Sequence, residues 1–504
     1  MREILADRTT TFVFIASVIA SSNSFITSTS IGILLPAMQR ELSLDGAQMI
    51  WVVNAYSLFL SALILVGGAL GDRLGRKRVF MVGIGLFTLT SAGIGLARSG
   101  ETLIVARGLQ GIAGALMVPT SLAVLSAAFP AEHRGRAIGL WSTFTSAAIA
   151  LGPVLGGVLA GAGLWRVPFF INVVLGVVAL LAASRIPATA RDAGASHIDW
   201  AGALLVTLGL ALLTYGLSEG PGQGWRSLPV IAGLVGGVLA LALFVFLQGR
   251  LTHPLISLDL FRSPTFVGAN LLTLFLYMAL SAVFIFLPLN LIQAQGYPES
   301  LAGLATVPFI VLLTVLSPWS GRLVDRIGAR KPLIIGSFIA GCGIAVLGFF
   351  GLTAGPADFW VTYFPGILLW GIGMGITVAP LTTAVMKSAP DEAAGSASGI
   401  NNAVSNVAGV LAVAGLGAVA LVSFAQFLES SAVATSLAET ARQALLAEAG
   451  NLGGALVPPS VPPELVASVE AAINLAFAST FRIVMLVSAG LAWLGTFFAA
   501  LLIQ

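Results

Sequence analysis

Only 9% of the 504 residues are charged, so few side chains in this chain could do charge or proton chemistry. Arg107 is the one charged residue that we place deep within an apolar segment, ~9 Å beyond Glu101 at the helical rise. A charge at that depth costs about 2.5–3.5 kcal/mol or more unless it faces an interior or a partner. We therefore predict that Arg107 faces an internal cavity and hydrogen-bonds a polar residue of the first segment, such as Asn23.

The 21 acidic residues all fall between the apolar segments or near their ends. Proton exchange across a membrane needs a titratable group inside it, such as a carboxylate whose pKa is raised by desolvation. His133, His197 and His253 also fall at segment ends, and Cys342 stands alone in an apolar run. No spacing therefore predicts a metal site, a cofactor, a disulfide or the clustered acids and histidines of an enzyme.

The composition excludes several classes of protein. Soluble domains carry roughly 25% charged residues, whereas this chain has 9% together with 57% hydrophobic residues and 58 glycines. Disordered chains are poor in apolar residues, and the net charge of +3 gives no support to a nucleic-acid partner. A helical membrane protein, with the lipid bilayer as its environment, is the class that remains.

Apolar stretches of about 20 residues, the length that crosses ~30 Å of hydrocarbon, are the elements that position these side chains. We predict an all-α polytopic membrane protein with 14 transmembrane helices, at 11–35, 49–70, 79–97, 102–128, 137–162, 166–184, 199–218, 228–248, 265–293, 301–321, 332–352, 359–385, 396–424 and 479–502. Most Lys and Arg residues fall in alternate connections, which places both termini in the cytoplasm. The sequence thus predicts a multi-pass protein of the plasma (inner) membrane.

An internal repeat organises these helices. The segment Gly68–Lys77 (GALGDRLGRK) recurs as Gly321–Arg330 (GRLVDRIGAR), and a second pair of matches begins at Pro130 and Pro390. Parallel repeats are typical of alternating-access carriers, so we predict six-helix halves at 10–190 and 262–504 with two inserted helices at 195–250. Residues 425–478 are more polar and are predicted as an outer loop, either an amphipathic cap or a plain tether.

The repeated segment resembles the loop signature of the major facilitator superfamily, which implies that fold and a gating role for the loop. Glycine lets helices approach, an aspartate caps a helix or pairs with arginine, and basic residues hold the inner leaflet. The residues that carry this signature are Gly68, Asp72, Arg73, Gly75 and Arg76 in the first copy and Asp325, Arg326 and Gly328 in the second.

Two further motifs resemble signatures of the same superfamily. Arg107, Gln110 and Gly111 in the fourth span resemble its R-x-x-Q-G pattern. Gly152, Pro153, Gly156 and Gly157 in the fifth resemble the G-P-x-x-G-G pattern associated with antiporters, although close helix packing explains these glycines equally well. We take both motifs as the expected transport core.

These motifs resemble the drug:proton antiporters of the fourteen-span type. The 14 spans, Trp165-Arg166, and Glu219-Gly220 before Trp225 add to this resemblance. The resemblance implies export of lipophilic compounds in exchange for protons. That type usually carries an acidic residue in its first span where this chain has Thr27, and an asparagine where it has Gly32. Since threonine cannot carry a proton, we expect weak, indirect or no proton coupling.

Polar and aromatic residues within the spans are the candidates for contact with the substrate. They are Asn23, Thr27, Asn54, Trp141, Phe144, Asn270, Tyr277 and Asn402. A cavity lined by amides and aromatic rings without a carboxylate suits lipophilic neutral or anionic compounds. The sequence favours a drug or metabolite exporter. The alternative is a lipid, glycolipid or specific-metabolite exporter on the same fold. No obligate protein partner is inferred.

Overall fold

The computed structural model describes residues 8–129, 131–187, 199–251, 254–256, 258–389 and 394–504, and all regular secondary structure in these residues is helical. The α-helices are α1 (Arg8–Leu42), α2 (Gly46–Leu74), α3 (Arg76–Gly95), α4 (Gly100–Ala128), α5 (Ala131–Gly161), α6 (Val167–Ser184), α7 (Trp200–Gln223), α8 (Leu228–Gln248), α9 (Pro264–Leu289), α10 (Glu299–Ala305), α11 (Val307–Ile327), α12 (Arg330–Leu347), α13 (Tyr363–Lys387), α14 (Ala394–Glu429), α15 (Ala432–Ser436), α16 (Glu439–Ala447) and α17 (Val466–Leu502).

The all-α membrane fold predicted from the sequence is confirmed. Among the described residues, 13 helical stretches are long and apolar enough to cross a membrane. α5 contributes a further, shorter apolar helix at Ala147–Gly161. The count of 14 spans stays a prediction, and α17, which contains the last predicted span at 479–502, begins earlier, at Val466.

The helices pack in two groups that follow chain order. α1 to α6 pack against one another, and so do α9, α11 to α14 and α17; α10 leads directly into α11 and is counted with this second group. α7 and α8 pack mainly on each other, and α7 contacts α2 and α14, so the inserted pair leans on one helix from each group. The division of the chain into domains is consistent with these contacts and stays a prediction.

The bundle has two different ends. One, the capped end, carries the α1–α2 turn and the segment 430–465, which we call the cap segment and which packs on α2, α14 and α17. The other, the basic end, carries the loops after α2 and α11 with Arg73, Lys77, Arg326 and Arg330. Within the predicted outer loop 425–478, α14 runs to Glu429 and α17 begins at Val466, and the position of the loop outside the membrane stays a prediction.

Candidate functional site

The two copies of the repeat have the same backbone geometry at the basic end. Gly75 ends α2 with a φ of 102°, and its counterpart Gly328 ends α11 with a φ of 76°. Their amides donate to the carbonyls of Gly71 at 3.0 Å and of Val324 at 2.9 Å. Only glycine adopts such positive φ values readily, which explains its presence in both copies.

The other residues predicted for this loop have more varied positions. Arg73 and Arg326 are exposed, and Arg76 is half-buried. A Cβ at Gly68 would only touch Pro119 at 3.9 Å, whereas a Cβ at the neighbouring Gly71 would lie 2.8 Å from Thr120. The close helix approach expected at Gly68 is therefore made at Gly71. The side chains of Asp72 and Asp325 lie outside the described residues.

A basic residue of each copy caps the end of another helix, which sequence reasoning missed. Lys77 Nζ donates to the carbonyls of Ser184, at 3.1 Å, and Ile186 at the end of α6. Its counterpart Arg330 donates to the Ala500 carbonyl near the end of α17 at 2.7 Å. Cations there satisfy free carbonyls and the negative end of the helix dipole. The basic residues thus join each loop to the last helix of its own group.

Arg107 is buried, with 1% of its surface exposed, in the interior of the first group of helices. Its Nε donates to the Val52 carbonyl at 3.0 Å and its Nη1 to Gln110 Oε1 at 2.7 Å. Its guanidinium lies 4.5 Å from the centroid of the Tyr56 ring. The expected bond to Asn23 is wrong, because the two acceptors lie on α2 and on α4 itself, and α2 supplies the ring.

Glycine in the same motif creates this environment. A Cβ at Gly111 would meet the Tyr56 carbonyl oxygen and lie 3.1 Å from Phe59 Cβ, so α4 can approach the α2 backbone only with glycine there. The network continues from Gln110 Nε2 to Ser91 Oγ on α3 at 2.9 Å. Arg107 makes no ion pair with a carboxylate within the described residues, and is held instead by neutral dipoles and an aromatic face.

Asn23 and Thr27 belong to a second buried cluster, between α1 and α6. Thr27 Oγ1 donates to the Asn23 carbonyl at 2.8 Å and accepts from Asn172 Nδ2 at 2.7 Å. Asn23 Nδ2 donates to the Asn172 carbonyl at 3.2 Å. Thr27 thus occupies the position of the usual acid with an uncharged hydroxyl that is bonded as both donor and acceptor.

The glycines of the predicted antiporter motif form close contacts on two faces of α5. Gly152 and Gly156 pack against α1, where added Cβ atoms would come within 3.2 Å of Thr29 Cβ and 3.1 Å of Ser30 Cβ. Gly157 packs against α10 of the second group, where a Cβ would lie 3.1 Å from Gly303 Cα. A Cβ at Gly303 would in turn lie 3.2 Å from the Pro153 carbonyl carbon. The motif therefore lies in the seam between the two groups.

Polar contacts close the same seam at the capped end, and sequence reasoning missed them. Arg40 on α1 forms a salt bridge with Glu299 on α10. Gln293 Nε2 donates to Gln39 Oε1 at 2.8 Å, and Gln39 Nε2 donates to the Asn451 carbonyl of the cap segment at 3.0 Å. One helix of the first group is thus bonded to both the second group and the cap segment.

The remaining substrate candidates are not gathered at one point of contact. Asn54 is buried with both amide atoms unpartnered, and Asn270 is buried with Asn401 Nδ2 donating to its Oδ1 at 3.2 Å. Trp141 and Tyr277 are half-buried, whereas Phe144 and Asn402 are exposed. Phe144 packs edge-on against Phe14 at a centroid distance of 6.0 Å. Their contact with a substrate stays a prediction.

A bundle of long apolar helices with a buried cation and a glycine-lined seam defines an integral membrane protein of the helical class. The model of the Major Facilitator Superfamily matches residues 13–413, and the chain belongs to this family of transporters. The multidrug resistance protein Stp of Mycobacterium tuberculosis is 34% identical over 414 residues, covering 82% of this chain and 76% of the relative. The tetracenomycin C resistance and export protein of Streptomyces glaucescens is 34% identical over 397 residues, covering 77% and 72%.

The fold is also similar to that of solved transporters. A bacterial homologue of the human lysosomal transporter Spinster, in an inward-facing and unoccupied conformation, superposes with a TM-score of 0.67 over 97% of both chains. Its sequence identity of 16% makes this a likeness of fold alone.

Proposed function

We propose that this transporter exports lipophilic drugs or metabolites by alternating access, as a fourteen-span member of its superfamily. The observation that carries the proposal is the seam at the capped end, where close packing of Gly157 on Gly303 and the Arg40–Glu299 salt bridge join two groups of helices. The resistance and export proteins among its relatives support drug-like compounds as the substrates.

The charge distribution supports an orientation with the basic end and both termini in the cytoplasm, in the plasma membrane. In that orientation the seam closes the outer side, and a compound would enter from the cytoplasm or inner leaflet. Opening the seam requires the contacts of Arg40, Gln39 and Gly157 to break while new contacts form at the basic end.

We expect no proton coupling through position 27. Thr27 is uncharged, and its hydroxyl is already bonded to Asn172 and to the Asn23 carbonyl. The buried cation Arg107 supports neutral or anionic cargo better than permanent cations, because no carboxylate accompanies it among the described residues.

The test is accumulation and growth inhibition for a panel of neutral, anionic and cationic lipophilic compounds in an efflux-deficient host. Expression of the chain should lower accumulation of the neutral or anionic members, and Gly157→Leu, which blocks the seam, should abolish the effect. Proteoliposomes should show export that does not follow an imposed pH gradient with full stoichiometry. Lipid transfer between leaflets without drug export would instead establish the alternative, a lipid or glycolipid carrier.

A further inference from the structure

Asn54 on α2 carries a buried side-chain amide that is bonded to nothing. None of its surface is exposed, and neither Oδ1 nor Nδ2 has a hydrogen-bond partner within the described part of the chain. An amide that leaves water without gaining partners costs free energy, because two N–H bonds and a carbonyl lose their hydration. Asn54 therefore destabilises this conformation relative to any conformation in which water reaches the amide.

The face of α2 that carries Asn54 packs on α14, a helix of the second group. A Cβ added at Gly417 would lie 2.6 Å from Ile50 Cδ1, and Leu58 belongs to one buried cluster with Val410. Ile50, Asn54 and Leu58 follow one another at four-residue spacing, so they share one face of the helix. Asn54 thus lies opposite the stretch of α14 between Val410 and Gly417.

That stretch of α14 offers the amide no partner. Residues 411–416 (LAVAGL) carry no polar side chain, and Val413 and Ala414 among them are buried. They lie well inside α14, where the backbone N–H and C=O groups are already bonded within the helix. Rotation of the Asn54 side chain towards α14 therefore finds no donor or acceptor, and the missing bonds are a property of the α2–α14 contact itself.

The α2–α14 contact joins the two groups of helices on the capped side. α2 begins at the capped end with Gly46, so Asn54 lies about 12 Å along the helix from that end. In the proposed transport cycle the two groups separate here when the capped end opens. Separation brings water to the Asn54 amide and supplies the hydrogen bonds that the closed conformation lacks.

We propose that Asn54 is a release element of the capped end: its unpartnered amide raises the free energy of the closed conformation and so favours opening. This inference rests on the alternating-access cycle proposed above. Position 54 then acts on the balance between the closed and open conformations, and its amide acts without touching the cargo.

The test measures the distance between two spin labels at the capped end, one on each group of helices, in the full chain in nanodiscs. The labels are attached through Arg98→Cys, before α4, and Ala357→Cys, before α13, two exposed positions, with Cys342→Ser removing the native thiol. With Asn54 present we expect a short-distance closed population and a long-distance open population. In Asn54→Leu an apolar side chain of the same branching replaces the amide, and the ratio of open to closed should fall at least fivefold.

Two further variants separate this effect from general stabilisation. Asn54→Thr should lower the ratio as well, because a threonine hydroxyl bonds the carbonyl four residues earlier in its own helix. Thr480→Val removes another buried, unpartnered polar group, but on α17, which packs on helices of the second group, so it should leave the ratio unchanged. An unchanged ratio in both Asn54 variants would overturn the proposal and leave alternating access in place. A chain with Asn54 that shows only the closed population would overturn alternating access, and this inference with it.

Discussion

Adding one methyl group to the seam should change which conformation the transporter favours. In Gly157→Ala the new Cβ would lie closer than 3.0 Å to the Glu299 carbonyl oxygen and 3.1 Å from Gly303 Cα. Both are backbone atoms, so no side-chain rotation relieves the clash. Gly161→Ala places the same group one turn further along, where the nearest atom is Ser300 N at an ordinary 3.7 Å.

The magnitude follows from packing energetics. Inserting a methyl group into a close contact costs about 1–3 kcal/mol. That cost applies only to the conformation in which α5 and α10 touch. The ratio of the open to the closed state of the capped end should therefore rise by roughly 5- to 150-fold. Gly161→Ala, lacking the clash, should shift it little.

Reaction of a single cysteine measures this shift. With Cys342→Ser removing the one native thiol, Gln39→Cys places a thiol where Gln293 and Asn451 cover it in the closed seam. A polar maleimide should modify it faster in Gly157→Ala than in Gly161→Ala, in nanodiscs, by a factor of at least five. Equal rates in two folded variants would refute the reasoning, because the α5–α10 contact would then not control access.

Three other predictions test the buried polar groups. Arg107→Met should reduce export at least tenfold while leaving the melting temperature unchanged or higher, because it removes an unpaired buried charge. Arg98→Met is the exposed control. A fall of several degrees in the melting temperature of Arg107→Met would contradict this. Thr27→Asp should make export depend on pH, whereas Thr27→Asn should not, as transport assays at several pH values would report. Gln39→Ala removes two hydrogen bonds worth together about 1–3 kcal/mol, so hydrogen exchange in residues 448–456 should accelerate roughly 5- to 150-fold. The control Gln443→Ala should leave the exchange rate of these residues unchanged. Unchanged exchange in Gln39→Ala would exclude its anchoring role.

Features that depend on local chemistry were predictable from the sequence. A long apolar run needs a helix to satisfy its backbone in lipid. The repeated glycines were expected to let helices approach, and the structure shows instead that Gly75 and Gly328 end helices with φ values that few other residues adopt. The burial of Arg107 followed from its depth within such a run, because a lone cation there needs an interior environment.

Contacts between distant segments were not predictable. Gln39 and Gln293 have neutral amide side chains far apart in the chain, and neither charge nor spacing indicates that they meet each other or the backbone carbonyl of Asn451. The sequence favours Asn23 as the partner of Arg107, but one of its two acceptors is the Val52 backbone carbonyl, and every residue carries such a carbonyl. Which helix faces Arg107 depends on Gly111 and Phe59 packing together, a tertiary property that the motif alone does not contain.

The unpaired charge of Arg107 also has an electrical consequence. Moving one elementary charge through the whole membrane changes its energy by about 2.3 kcal/mol per 100 mV. Arg107 is bonded to α2 and to Gln110 on α4, so any tilting of these helices that changes its depth carries this charge through part of the voltage drop. A displacement across one tenth of the field would contribute about 0.2 kcal/mol at 100 mV. In a membrane that carries a voltage, such a movement of Arg107 would therefore bias the conformations of this protein even when no ion accompanies the cargo.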